Sequence, residues 1–153
     1  MKHSPQRRKF IKDASILTAG AGIFLSAPNI GVAAPNQTWT VGEIIDLFLK
    51  EVNGAPFAST VDTLKAGSRN MEVKAIVTTM FATIPVIKQA IRAGANFIIA
   101  HEPTFYNHPD NTDWLKNDDV YQYKAKLLKD NNITVWRNHD YIHSHHPDGV
   151  YAG

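Results

Sequence analysis

The sequence predicts an α/β fold, in which a parallel or mixed sheet is flanked by helices. Two observations support this prediction. Three short apolar runs, at 73–81, 96–100 and 133–136, have the length and β-branched content of buried strands. The segments between these runs repeat their apolar residues at helical spacing. One further helix precedes this β-α-β-α-β core, and we expect the whole to be part of a larger fold.

The helix that precedes the core is predicted from a capping box. Thr40 is the expected N-cap and Glu43 lies three residues later, so each side chain satisfies a backbone donor of the other. Apolar residues then recur at helical spacing from Val41 to Val52, and Gly54 is expected to end the helix.

Two more helices are predicted between the strands. The first starts at Thr83 with Pro85 in its first turn, and it stops at Gly94. Asp118 or Asp119 caps the second, whose expected inward-facing residues are Val120, Tyr123, Leu127 and Leu128. Residues 55–71 and 102–117 are mixed and polar, and they predict irregular segments.

The strand order predicts where ligands would bind. Strands joined by helices are normally adjacent and parallel, with right-handed crossovers. Their carboxyl ends then lie at one edge of the sheet, where α/β proteins bind ligands. His101 follows the second apolar run and His139 follows the third. We therefore expect these two histidines to be neighbours.

Residues 1–34 have the three parts of a twin-arginine export signal, and residues 35–153 form the remaining domain. An arginine pair occupies positions 7 and 8, an apolar stretch extends over about 14–27, and small residues occupy 32–34. The apolar stretch is too short and too rich in glycine for a good membrane span, so we expect no stable membrane anchor. The predicted location is periplasmic or secreted. An amphipathic N-terminal helix is the alternative.

Charge and cysteine content narrow the classes of partner and site. Residues 1–34 carry a net charge of +4 and the whole chain +2, so residues 35–153 carry −2. Without a basic face in this part, no nucleic-acid partner is expected. The chain has no cysteine, which excludes disulfides and thiolate metal sites.

Six of the seven histidines lie from residue 101 onward, in two groups and one loop position. The sequence His101-Glu102-Pro103 follows one predicted strand, and four histidines lie between positions 139 and 146 after the next. His139 and His143 share a face if their segment is helical, and His143 and His145 share one if it is extended. Imidazole and carboxylate ligands without sulfur suit Zn, Mn, Fe or Ni. The alternative for the group at 139–146 is a solvent-exposed polar loop that binds no metal, and the alternative for His101 is a hydrogen-bonded packing residue.

Several neighbouring residues have open roles. Asp140 is a candidate ligand, a partner that orients an imidazole, or a solvated carboxylate. His145 and His146 are expected to be bystanders. Tyr106 and His108 lie in the 102–117 loop, whose length is typical of functional loops, although ordinary loop surface is the favoured interpretation for both.

These segments resemble the two motifs of the NGG-interacting-factor-three-like family, whose members often carry the name GTP cyclohydrolase I type two. The family's first motif is a strand that ends in His-His-Pro, where this chain has His101, Glu102 and Pro103. The second is His-Thr-x-x-Asp, where this chain has His139 and, four residues later, His143. A carboxylate and an imidazole have thus exchanged places between the motifs.

The resemblance implies a dinuclear metal centre with His101, Glu102, His139 and His143 as ligands, and an α/β fold that assembles as a homo-hexamer. It extends from Thr40 to Gly153 but covers only the front half of a family member. The family's remaining ligands, a His and a Glu, belong to the second half. We therefore expect the chain to be the N-terminal portion of a longer protein.

The function implied is an exported metal-binding protein, in the form of a metal-dependent hydrolase acting on an unknown small molecule with one or two divalent transition metals. A non-catalytic metal-binding or scaffold protein, and an incomplete fragment without activity, are the alternatives.

Overall fold

The structure, a computed structural model, describes residues 38–145 and 147–150. The predicted export signal at 1–34 and His146 lie outside these described residues. The helices are α1 (Val41–Lys50), α2 (Ile84–Arg92), α3 (Asp119–Asp130) and the short α4 (Asp140–His143); the strands are β1 (Leu64–Ala66), β2 (Ile76–Thr79), β3 (Phe97–Ala100) and β4 (Thr134–Arg137); a 3-10 turn covers Asp113–Leu115.

The four strands form one mixed sheet in the order β1-β4-β3-β2. The pairs β2–β3 and β3–β4 are parallel, which confirms the predicted β-α-β-α-β core. β1 pairs with β4 in the antiparallel direction, and it arises from the segment 55–71 that was predicted to be irregular. That expectation was wrong because β1 has only three residues, with a register shift between Leu64 and Ala66, and so shows no period-two pattern.

β3 and β4 form the centre of the fold, and all eight of their residues are buried. Successive side chains point to opposite faces of a strand. Phe97, Ile99 and Trp136 accordingly pack with α1, while Ile98 and Val135 pack with α2 and α3 on the other face. Both faces of the parallel core are therefore covered, as such sheets require.

The first predicted strand is shorter and more exposed than expected. The apolar run 73–81 was predicted to be one buried strand, but β2 covers only Ile76–Thr79 and its residues alternate between exposed and half-buried. Ile76 is 44% exposed, and Met80 and Phe81 are exposed beyond the strand. In the described part of the chain β2 lies at the sheet edge, and an apolar run alone does not distinguish an edge strand from a central one.

The helix starts are set by the predicted side-chain caps. Thr40 and Glu43 form the capping box of α1, with the Thr40 backbone N–H donating to Glu43 Oε2 at 2.8 Å. The hydroxyl of Thr83 accepts from the third residue of α2's first turn. Asp118 caps α3 by accepting from the backbone N–H of Tyr121 at 2.6 Å.

The inward face of α3 differs from the prediction. Val120 and Tyr123 were expected to face the core, but they are 52% and 47% exposed. Leu127 and Leu128 pack inward as predicted, and Tyr121, seven residues before Leu128 on the same helical face, takes the inward position expected of Val120. The ring of Tyr121 meets that of Phe105 at a centroid distance of 5.1 Å. The shift by one residue follows from Phe105, a loop side chain that the helical pattern alone does not reveal.

None of the helices within 38–145 and 147–150 is long and apolar enough to cross a membrane.

Candidate metal centre

The two histidines predicted to be neighbours are brought together by strand register. Ala100 at the end of β3 pairs with Arg137 at the end of β4, so both strands stop at the same level of the sheet. The backbone N–H of Asn138 then donates to the carbonyl of Ala100 at 2.9 Å. The rings of His101 and His139 stack just beyond this bond, with centroids 4.7 Å apart. The expectation that the two residues adjoin is confirmed.

His143 joins the same cluster through α4. His139 is the N-cap of this short helix and His143 is its last residue, so the helical alternative for this segment applies. The ring of His143 lies 4.9 Å from that of His139 and 5.0 Å from that of His101, measured between centroids. One candidate ligand nitrogen from each of the three half-buried histidines lies within 4.8 Å of the others. We call these residues the three-histidine cluster.

Each ring of the cluster turns its Nδ1 toward an oxygen that accepts hydrogen bonds. The three contacts are His101 Nδ1 to the Asn138 carbonyl at 3.2 Å, His139 Nδ1 to Asp140 Oδ1 at 3.0 Å, and His143 Nδ1 to Asp148 Oδ2 at 2.9 Å. A carbonyl and an ionised carboxylate only accept, so Nδ1 carries the proton in all three neutral rings. Nε2 is then the nitrogen with a lone pair for a metal.

Asp140 is hydrogen-bonded to His139, as expected for the second of its three open roles, a carboxylate that orients an imidazole. Its carboxylate also accepts from the Thr60 hydroxyl at 2.8 Å and from the backbone N–H of Val61 at 3.0 Å. Burial by itself would raise the pKa of Asp140, but the hydrogen bonds from His139, Val61 and Thr60 outweigh it and the net pKa lies below its ordinary value. Asp140 is therefore ionised at neutral pH and holds the imidazole in place.

Asp62 shapes the turn that carries the cluster. Its two carboxylate oxygens accept from the backbone N–H groups of His139 and Tyr141, each at 2.8 Å, and it is 7% exposed. These bonds connect the segment before β1 to the start of α4. The sequence analysis missed this residue because it lies in the segment 55–71, where no periodic pattern marks a buried carboxylate.

Glu102, the fourth predicted ligand, points to a different partner. Its Oε2 lies 3.8 Å from Nη2 of Arg137, whose side chain is fully buried. Glu102 is not one of the three residues whose ligand atoms converge. Arg137 also donates from Nε to the carbonyl of His101 at 3.2 Å. The structure thus brings together His101, His139 and His143, while the role of Glu102 as a ligand stays a prediction.

The other candidates from the sequence lie around the cluster. His145 is half-buried and is not among the three converging residues. Tyr106 is 59% exposed and packs against Trp114, with ring centroids 6.1 Å apart. The ring of His108 meets that of His139 edge-on at 5.5 Å between centroids, so His108 adjoins the cluster although Tyr106 does not.

A mainly apolar cavity of about 370 Å³ lies on the side of the sheet covered by α2 and α3. Phe81, Phe105 and Lys124 are among its lining residues, and none of the three histidines of the cluster lines it. Burial lowers the pKa of Lys124 to about 8, although the nearby Asp110 acts in the opposite direction. The cavity is therefore a feature separate from the cluster.

The donor set of the cluster fits a divalent transition metal. Three imidazoles with their Nδ1 atoms anchored and no sulfur are ligands for Zn, Mn, Fe or Ni. Three protein ligands also leave room for a further group, which is the arrangement of catalytic rather than structural zinc sites.

Comparison with known proteins identifies the family. The sequence profile of the Duf34/NIF3 (NGG1p interacting factor 3) family matches residues 41–152. The GTP cyclohydrolase 1 type 2 homolog of Clostridium acetobutylicum is 32% identical over 81 residues, which are 53% of this chain and 29% of that protein.

Solved structures of related proteins are also similar to this chain in fold. A Bacillus cereus protein related to NIF3 is similar at a TM-score of 0.56 and 27% identity, over 69% of this chain and 28% of that one. Reduced HcgD from Methanocaldococcus jannaschii is similar at 0.54 and 25%, over 69% of this chain and 41% of that one. This chain therefore matches less than half of each relative's length, and it belongs to the Duf34/NIF3 family.

Proposed function

We propose that this chain is a metal-binding member of its family, in which His101, His139 and His143 hold a divalent transition metal through Nε2. The convergence of their ligand nitrogens within 4.8 Å carries the proposal. The anchored Nδ1 atoms support it, because they fix the orientation of each ring and leave Nε2 with its lone pair. Glu102 and a second ion, both implied by the family motifs, are proposed additions to this centre.

We further propose hydrolysis as the activity. A bound divalent metal would polarise a carbonyl or phosphoryl oxygen and generate a hydroxide nucleophile at neutral pH. The chain's own contribution is to fix the imidazoles, through Asp140, Asp148 and the Asn138 carbonyl, and to keep their open side half-exposed to a substrate. The name of the clostridial relative concerns GTP, and the substrate of this chain stays open.

A metal-content experiment tests the centre. The 153-residue chain, purified from cytoplasm, should retain a transition metal by elemental analysis. His101→Ala, His139→Ala and His143→Ala should each lose most of it, because two imidazoles bind far more weakly than three. His145→Ala is the matched control and should retain the metal, since His145 lies outside the cluster. Full metal retention in the three cluster variants would exclude a shared site.

Glu102→Gln reports separately on the predicted fourth ligand. Loss of metal in this variant would assign Glu102 to the centre, and retention would assign its carboxylate to Arg137 alone. Turnover of phosphoesters, amides and cyclic nucleosides by the metal-loaded protein then separates a hydrolase from a non-catalytic metal-binding or scaffold protein.

Export and assembly are proposals of their own. The arginine pair at 7–8 and the apolar stretch that follows support transport through the twin-arginine route to the periplasm or beyond. Replacing both arginines by lysine should keep the protein in the cytoplasm, as measured by cell fractionation.

Family membership supports a homo-oligomer, and sedimentation of the purified chain would show whether it is a hexamer.

A further inference from the structure

His108 adjoins the three-histidine cluster without belonging to it. It is an exposed residue of the 102–117 loop, and its ring stands nearly perpendicular to that of His139, with centroids 5.5 Å apart and an angle of 81°. Its ligand nitrogens do not converge with those of His101, His139 and His143. A fourth imidazole thus lies at the rim of the site without a metal-binding position.

The ring of His108 is held by Arg137. Nη2 of Arg137 lies 3.3 Å from His108 Nδ1, and Nη1 donates to the carbonyl of the same residue. Arg137 itself is fully buried and its Nε is bonded to the His101 carbonyl. One rigid guanidinium therefore fixes both the backbone and the ring of His108 relative to the strand that supplies His101.

The chemistry of arginine determines which nitrogen of His108 carries the proton. A guanidinium has five N–H donors and no acceptor. Nδ1 of His108 must therefore accept, so the proton of the neutral ring is on Nε2. This tautomer is opposite to that of the cluster, where Nδ1 donates to oxygen and Nε2 offers a lone pair. His108 presents an N–H at the nitrogen through which the other three would bind a metal.

We propose that His108 is the hydrogen-bond donor of this site, and that its Nε2–H binds an anionic oxygen, such as that of a phosphate group, on a small molecule held at the three-histidine cluster. The tautomer assigned to His108 follows from its contact with Arg137 alone. The donor role rests on the proposed metal centre.

The charges around His108 favour an anion. Among the described residues, Arg137 forms its ion pair with Glu102. The distance between Nη2 and Oε2 is 3.8 Å, which is longer than a hydrogen bond. The Asp140 and Asp148 carboxylates face the Nδ1 side of their histidines instead. The positive charge of Arg137 therefore lies next to Nδ1 of His108, on the other side of the ring from the Nε2–H that would meet the ligand.

The tautomer is tested first, on metal-free protein. A two-bond ¹H–¹⁵N correlation spectrum of the 153-residue chain, recorded where the rings are neutral, distinguishes Nδ1–H from Nε2–H imidazoles. We expect His108 as the Nε2–H tautomer and His139 and His143 as Nδ1–H tautomers, with assignments from the single His→Ala variants. An Nδ1–H tautomer at His108 would overturn the proposal whatever the protein binds.

The donor role is tested with inorganic phosphate and zinc-loaded protein, by calorimetric titration. His108→Ala should keep its zinc and weaken phosphate binding by about tenfold or more, as expected for the loss of a hydrogen bond to a charged group. His108→Gln retains an acceptor for Arg137 and an N–H donor, and should restore part of the affinity. His145→Ala is the control and should bind phosphate as the parent does.

The outcomes separate the two proposals. Failure of the parent chain to bind zinc would contradict the proposed metal centre, while the spectrum still decides the tautomer. Zinc binding with unchanged phosphate affinity in His108→Ala, or no phosphate binding by the zinc-loaded parent, would overturn the donor role. Loss of zinc from His108→Ala would make His108 a ligand, and so would also overturn it.

Discussion

The segments that follow β3 and β4 both carry histidines of the site, and side chains of opposite charge hold these histidines. After β4, Asp140 and Asp148 accept from the rings of His139 and His143, and Asp62 accepts from the backbone N–H groups of His139 and Tyr141. After β3, the backbone carbonyls are held by cations.

Arg137 donates to the carbonyls of His101 and His108, and Lys124 donates to that of Thr104. The difference shows that the partner of Nδ1 sets the role of an imidazole. A hydrogen-bond acceptor at Nδ1 keeps the proton there, so Nε2 has a lone pair for a metal. A cation at Nδ1 moves the proton to Nε2, which can then donate a hydrogen bond to a ligand.

Replacing Arg137, the cation that holds the carbonyls of the segment after β3, should have the largest effect on stability. Arg137→Met leaves the His101 and His108 carbonyls without their donor and Glu102 without its partner. We expect a loss of about 3 kcal/mol in the free energy of unfolding, the cost of breaking a buried charge network. Urea unfolding of the metal-free chain measures it.

A surface cation on α3 provides the control for this change. Lys126 pairs with Asp130 at 2.6 Å, but both side chains are more than half exposed. Lys126→Met should therefore cost less than about 0.5 kcal/mol. Equal unfolding midpoints for Arg137→Met and Lys126→Met would contradict the structural role given to Arg137.

Neutralising Asp140, the carboxylate that holds His139 in the segment after β4, should affect metal binding more than stability. Asp140→Asn keeps the shape of the side chain but removes the charge that supports His139. We expect metal affinity to fall by about 10–100-fold, the usual effect of losing such a supporting carboxylate. Competition with a chromophoric chelator measures the affinity.

Asp148→Asn should act similarly through His143, whereas Asp130→Asn, on the exposed face of α3, should leave the affinity unchanged. Unaltered metal affinity in both Asp140→Asn and Asp148→Asn would contradict the role given to the carboxylates in the segment after β4.

The smallest predicted effect concerns Lys124 and pH. Burial lowers its pKa to about 8 in the folded chain, against an ordinary value near 10.5 in the unfolded chain. Between these two values the unfolded state binds more protons, so the contribution of Lys124 to stability rises as pH increases from about 8 to 10.5. Solvent screening of the partly exposed ammonium keeps the change small.

Urea unfolding at pH 7.5 and pH 10 checks this prediction. The unfolding free energy of the parent chain relative to that of Lys124→Met should increase between the two pH values. A difference that stays constant or falls would show that Lys124 keeps its proton throughout this range.

The sequence alone predicted the elements that local patterns encode. The capping box at Thr40, the cap at Asp118 and the parallel order of β2, β3 and β4 follow from short motifs and spacing. The adjacency of His101 and His139 follows in turn from the parallel order.

What escaped prediction depends on contacts distant in sequence. β1 is three residues long and is defined by its pairing with β4. Asp62 acts on residues 77 and 79 positions away, and Arg137 at the end of an apolar strand is buried because its donors find carbonyls in the 102–117 loop and at His101. Charge and spacing in one segment do not reveal such partners.

The central claim is that three imidazoles bind one metal through Nε2, and X-ray absorption of the zinc-loaded 153-residue chain tests it most directly. We expect nitrogen scatterers at about 2.0–2.1 Å, with the outer-shell scattering of three imidazoles for the parent and of two for His143→Ala. A spectrum dominated by oxygen ligands, or one unchanged in His143→Ala, would contradict the claim.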